Sequence, residues 1–139
     1  MDIFSEFAVN ETLEIDGRWV PFNAKTKFKI ARMNNAHYNR IFMRLYKMNK
    51  VILESKGKEA KAKSDDVMAE AFSKAILVGW EGPVKINGED LGAYSQEKAK
   101  KALLIEQFRV WVAQQTEDFA SYKAVQEDEE DETEDEAKN

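Results

Sequence analysis

The side chains best suited to acid–base or metal chemistry are few in this 139-residue chain, and their spacing is wrong for it. His37 is the one histidine and there is no cysteine. A lone imidazole cannot build a multi-histidine metal site, and any Ser-His-Asp arrangement would have to run through that position. His37 stands beside Asn34 and Asn35 at a helix start, where a surface or capping role is expected. Asp65–Asp66 and Glu117–Asp118 are adjacent carboxylates, which point in different directions on a helix and make no general acid/base pair by themselves. The segment from Gly79 to Gly82 lacks the spacing and the Lys-Ser/Thr ending of a phosphate-binding loop. The C-terminal carboxylates lack the glycine-turned loop of a calcium site. A protein without catalytic residues, cofactor or metal is therefore expected. The absence of cysteine excludes a disulfide framework and fits a reducing compartment.

Charge is divided unequally along the chain. The formal net charge is -5, yet the nine carboxylates between Glu127 and Glu136, opposed by Lys138 alone, contribute -8 and leave +3 for the rest. A run of like charges without aromatic residues cannot offset its ordering entropy, so 126–139 is expected to be a disordered acidic tail. It serves solubility or screens a basic partner, the chain's own basic stretch included. That stretch runs from Lys25 to Lys63, where twelve Lys and Arg face Glu54 and Glu59, a local charge of +10.

The elements that must position these residues follow from periodicity. Hydrophobic residues make up 43% and aromatic residues 11% of the chain, enough for one packed core over about residues 1–125. Asp16-Gly17 between short alternating runs predicts a hairpin over Leu13–Phe22. Lys27-Phe-Lys-Ile-Ala-Arg32 alternates at period two and predicts a third strand with Phe28 and Ile30 inward. From Asn35 the spacing changes to three and four: Tyr38, Ile41, Phe42, Leu45, Met48, Ile52 and Leu53 form the stripe of an amphipathic helix, with Arg40, Arg44, Lys47 and Lys50 opposite. That helix should fray near Gly57, and Ser64 should cap a second helix ending at Gly79. Asn87-Gly88 predicts a tight turn after a short Val84–Ile86 strand, and Ser95 should cap a third helix. The stripe from Phe108 to Tyr122 gives a fourth after a bend near 104–107, with one long helix as the competing view. The expected fold is α+β and mainly α: a small N-terminal β meander, then a bundle of about four helices with a short hairpin between the second and third. No run approaches the roughly 18 apolar residues of a membrane span, and residues 1–10 carry no basic region. A soluble intracellular protein is expected.

The segment from Ile76 through Trp80-Glu-Gly82, the Asn87-Gly88 turn, Tyr94-Ser95 and the helix with Ala99, Leu103 and Leu104 resembles the tail assembly chaperones of long-tailed (siphovirus-type) bacteriophages. The short β segment, Phe28-Lys-Ile-Ala-Arg32 and the Asn-rich helix start extend the likeness over about Trp19–Tyr122. The family often has a proline between its last two helices, where this chain has Ile105-Glu-Gln. The resemblance implies a non-enzymatic chaperone of the host cytoplasm. It would bind and solubilise the phage tape measure protein, help recruit tail tube protein, and be absent from the mature virion. Self-association is a further expectation, since proteins that coat a long partner often act in several copies.

Two surfaces are candidates for such contacts: Arg40, Arg44 and Lys47 on the first helix, and the region of Trp80, Glu81 and Tyr94. Trp80 has two readings, a cap on the core with Glu81 bonded to nearby amides, or part of an exposed partner groove shared with Tyr94. The alternative function is a small nucleic-acid-binding regulator using 25–63. Its rings fall mostly on the apolar stripe that a core needs, and pI ≈ 5.1 is acidic, both of which weigh against nucleic acid.

Overall fold

The computed structural model describes residues 2, 3, 15–33 and 35–117. Asn34, Leu13, Phe119, Tyr122, the expected 125/126 boundary and the acidic 126–139 segment lie outside the described residues. The architecture is α+β and mainly helical, as predicted. A three-stranded antiparallel sheet is built from β1 (Arg18–Pro21), β2 (Lys27–Ile30) and β3 (Leu77–Glu81), in the order β1-β2-β3. The helices are α1 (Ala36–Met48), α2 (Lys50–Leu53), α3 (Lys58–Ala75), α4 (Gln96–Leu103) and α5 (Glu106–Gln115). A two-stranded hairpin, β4 (Lys85–Ile86) with β5 (Glu89–Asp90), precedes α4.

The period-two pattern of β2 buries Phe28 and Ile30 and leaves Lys27 and Lys29 half-buried, as the alternation requires. The hairpin that β2 closes is displaced from its expected place. Ile15 and Asp16 are helical, and Gly17 takes φ +93 to open β1, so Asp16-Gly17 is no turn between strands. The turn falls at 22–26 instead, where the Asn23 Oδ1 accepts from the amides of Lys25 (2.9 Å) and Thr26 (2.8 Å). That is the side-chain substitute for a backbone turn that asparagine offers.

The second helix also differs from expectation. It begins at Lys58 after Gly57, which takes φ +108, so Ser64 lies inside α3 and caps nothing. Ala60 and Ala62 among lysines are strong helix formers, and Lys61 Nζ reaches Asp65 one turn on at 2.9 Å, so the helix continues through the segment expected to fray. At its other end α3 stops at Ala75 rather than Gly79. Ile76 and Leu77 are both fully buried, and Leu77–Glu81 pairs with β2, placing Gly79 opposite Lys29 inside a strand. The sheet thus joins two N-terminal strands to a third from the middle of the chain.

Ser95 caps α4 as predicted, its side chain accepting from the Lys98 amide at 3.2 Å. The bend between α4 and α5 is also present, and Arg109 explains it in the absence of Pro or Gly. Its Nη1 donates to the Leu103 carbonyl at 2.9 Å, satisfying an acceptor that the end of α4 leaves open, while Ile105 turns extended. Arg109 is only 8% exposed, and its Nη2 pairs with Asp65 at 2.9 Å. Lys100 Nζ lies 3.0 Å from both Asp66 and Glu70. These pairs fasten α4 and α5 to α3 around a core in which Ile30, Phe72, Ile76, Leu77, Leu103 and Val112 are fully buried. Burying each large apolar side chain contributes about 1.5–3 kcal/mol.

Candidate docking surfaces

The register of β2 and β3 sets Phe28 opposite Trp80. Trp80 is 6% exposed, with its ring edge-on to Phe28 at 6.1 Å and to Tyr94 at 5.2 Å. Its indole N–H donates to the Gly92 carbonyl at 2.9 Å. The Tyr94 hydroxyl donates to the Leu77 carbonyl at 2.7 Å, with Ser73 O at 3.4 Å. Burial pushes the Tyr94 hydroxyl above its ordinary pKa, which keeps it a donor. Gly82 takes φ +94, and a side chain there would run into the Lys25 carbonyl oxygen. The Trp-Glu-Gly motif is thus architectural: ring in the core, glycine against the neighbouring turn. Glu81 points outward to Lys27 Nζ at 3.4 Å, an exposed pair of small energetic weight, and not to backbone amides. Of the two readings of Trp80, the cap on the core holds, and its contact with Tyr94 is closed rather than an exposed groove.

Arg40, Arg44 and Lys47 are exposed on α1, opposite Tyr38 and Ile41. The Asn35 Oδ1 caps this helix by accepting from the Tyr38 amide at 2.7 Å. His37 is half-buried, its Nδ1 3.5 Å from Arg40 Nη2, and the structure offers it no catalytic partner among the described residues. Inside the arm formed by α1 and α2, Tyr38, Phe42 and Tyr46 stack in sequence at about 6 Å. Beyond them the apolar stripe outruns the core that could cover it. Met48 is 71% and Val51 86% exposed, and Met43 and Ile52 are exposed too. Sequence periodicity placed Met48 and Ile52 inside; the signal overlooked was Asn49, which ends α1 and redirects the chain into α2.

A second opening lies between the β1–β2 turn, β4 and the α4–α5 junction. It has a volume of about 370 Å3 and is lined mainly by apolar side chains, Phe22, Phe28, Ile86, Ile105 and Phe108 among them. Phe22 and Ile105 are exposed, and neither was singled out by sequence as a contact residue. The basic stretch does not gather on one face. Lys27 and Lys29 lie over the Trp19 ring at 4.9 and 5.9 Å, Lys25 borders the opening, Arg40, Arg44 and Lys47 occupy α1, and Lys61 is paired with Asp65 and Glu106. Asp65 is held below the usual carboxylate range, first by its bond from Lys61 and then by Arg109. Glu70 is likewise lowered by Lys74 and Lys100. The carboxylates of α3 thus join helices together. No helix among the described residues is long and apolar enough to cross a membrane.

A family model described as YdaY prophage protein matches residues 33–138. The chain belongs to that family. It is therefore a phage-derived protein, which the resemblance to bacteriophage proteins had anticipated at a coarser level than tail assembly. The YdaY match takes in α1 to α5, β3, the Trp80–Tyr94 contact and the helical wall of the opening, and it begins after β2. Comparison with curated proteins and with solved structures gives no match.

Proposed function

We propose that this YdaY-family chain is a tail assembly chaperone that binds and solubilises the phage tape measure protein and helps recruit tail tube subunits. It acts without catalysis, in the host cytoplasm and in several copies, and it leaves before the virion is complete. The observation that carries this reading is unsatisfied apolar surface on a small, otherwise well-packed domain: Met43, Met48, Val51 and Ile52 stand exposed beside Arg40, Arg44 and Lys47. Exposed apolar groups beside charged ones mark sites for protein partners. A tape measure protein is long and helical, and its apolar stripes need cover until the tube forms around it. Prophage membership and the Trp80-to-Leu104 resemblance point the same way.

The test is co-expression with the large helix-rich protein encoded just downstream. Capture of that protein, with a rise in its soluble yield, is the expected result. Absence of both would remove the chaperone reading. A salt series separates it from phosphate binding, whose affinity falls steeply with salt while apolar burial does not. The spreading of the basic stretch over several surfaces favours the protein partner.

A further inference from the structure

The opening between the β1–β2 turn, β4 and the α4–α5 junction has chemistry of its own. Phe28 is buried at its base, its ring 5.2 Å from Phe108. The Thr26 hydroxyl donates to the Pro83 carbonyl at 2.7 Å, tying the β1–β2 turn to the segment that leads into β4. The walls are thus held in place without a guest. Phe22 and Ile105 stand at the mouth, 53% and 42% exposed. The volume of about 370 Å3 lies at the small end of the roughly 300–1,000 Å3 usual for ligand sites.

The charges around it have one sign. Lys25 and Lys85 line the opening, no carboxylate does so among the described residues, and both lysines come from the β side rather than from α4–α5. An open apolar trough with positive charge along one rim complements an amphipathic helix. Such a helix inserts apolar side chains spaced i, i+3 or i+4 and i+7, and carries Asp or Glu on the flank facing the lysines. We infer that this groove docks an acidic-flanked amphipathic helix of the tape measure protein, a step that rests on the chaperone reading for the identity of the guest.

The groove is tested with the full chain and two labelled synthetic helices. Both carry leucines at i, i+3 and i+7; one has glutamates on the flank and the other lysines. Anisotropy titrations should show the glutamate helix binding at least tenfold tighter than the lysine helix. Ile105→Glu should weaken the glutamate helix at least tenfold, and Lys25→Glu with Lys85→Glu should reverse the preference. All three positions are exposed, so the variants should melt like the parent chain, and circular dichroism checks this. Equal affinity for the two helices, indifference to Ile105→Glu, or binding of dodecanoate but of neither helix would each overturn the inference. So would a dimer of the parent chain that Ile105→Glu dissociates in ultracentrifugation, because the groove would then hold a second copy. Capture of the downstream protein equally by parent and Ile105→Glu chains sinks the groove and leaves the chaperone reading standing. Glutamate-helix binding without any capture supports the groove chemistry and removes the chaperone reading.

Discussion

The Trp80–Tyr94 contact and the α1–α2 arm are both rich in large apolar residues, yet one is closed and the other open. At Trp80 several elements converge: β2 supplies Phe28, the segment after β5 supplies the Gly92 carbonyl, and Tyr94 bonds back to Leu77 at the start of β3. On the arm, Leu53 turns toward Val67 and Met68 of α3, but Met48 and Val51 face outward. The difference teaches where fold and function separate in this chain. A ring whose polar atom is bonded and whose faces are covered holds the domain together, whereas a helix face with nothing against it is available to a partner.

The largest expected effect lies in the closed region. Trp80→Ala should cost about 3–5 kcal/mol, from the vacated volume and the loss of the Gly92 bond, read as a drop in the urea midpoint. A cost under about 1 kcal/mol would show that the ring is not the core member described. Next comes Arg109→Met, which leaves the Leu103 carbonyl without its donor and Asp65 with Lys61 alone. A loss of about 2–3 kcal/mol is expected in thermal unfolding. Tyr94→Phe keeps the ring and removes the hydroxyl, so about 1 kcal/mol is expected.

Acid should act elsewhere, through the ion pairs that fasten α4 and α5 to α3. Asp65 and Glu70 have folded pKa values below their unfolded ones, so their contribution is full above the ordinary carboxylate values of about 4. It is lost as pH falls further, through the lowered folded values. Urea midpoints followed from pH 7 to pH 3 should therefore decline chiefly below about 4, and Asp65→Asn should flatten that decline. The smallest stability effect belongs to the arm. Val51→Glu should change stability by less than about 0.5 kcal/mol, while abolishing capture of the tape measure protein in the co-expression assay. Unfolding by this variant, or full capture, would break the distinction between the two regions.

Elements governed by local rules were legible in the sequence. The alternation at Phe28 and Ile30, the Asn35 start of α1, the Ser95 cap and the Asn87-Gly88 turn each depend on residues within one turn or one strand. Local rules misled at Asp16-Gly17 and at Ser64, and other misses depended on distant partners. Ile76-Leu-Val78 reads as the end of a helix until β2 is known to need a neighbour, and then it reads as a strand. The break after α4 was expected, but its cause is Arg109, whose role is visible only once the Leu103 carbonyl and Asp65 are beside it. The contact surfaces fared likewise. Arg40, Arg44 and Lys47 are exposed as expected and Trp80 takes its core-capping reading, but the partners that bury it come from β2 and the segment after β5, and the groove's residues converge from three separate stretches.

The place of β2 in the sheet also orders events during synthesis. Its hairpin with β1 can form early, but its other edge pairs only with β3, which lies beyond α1, α2 and α3. Until that segment leaves the ribosome, the free edge of β2 lacks its permanent neighbour, and the Phe28 ring that packs against Trp80 and Phe108 stays uncovered. The nascent chain must therefore wait in a half-sheet, and such late pairing across a long intervening stretch slows folding and prolongs the period in which an exposed strand edge can recruit the wrong neighbour.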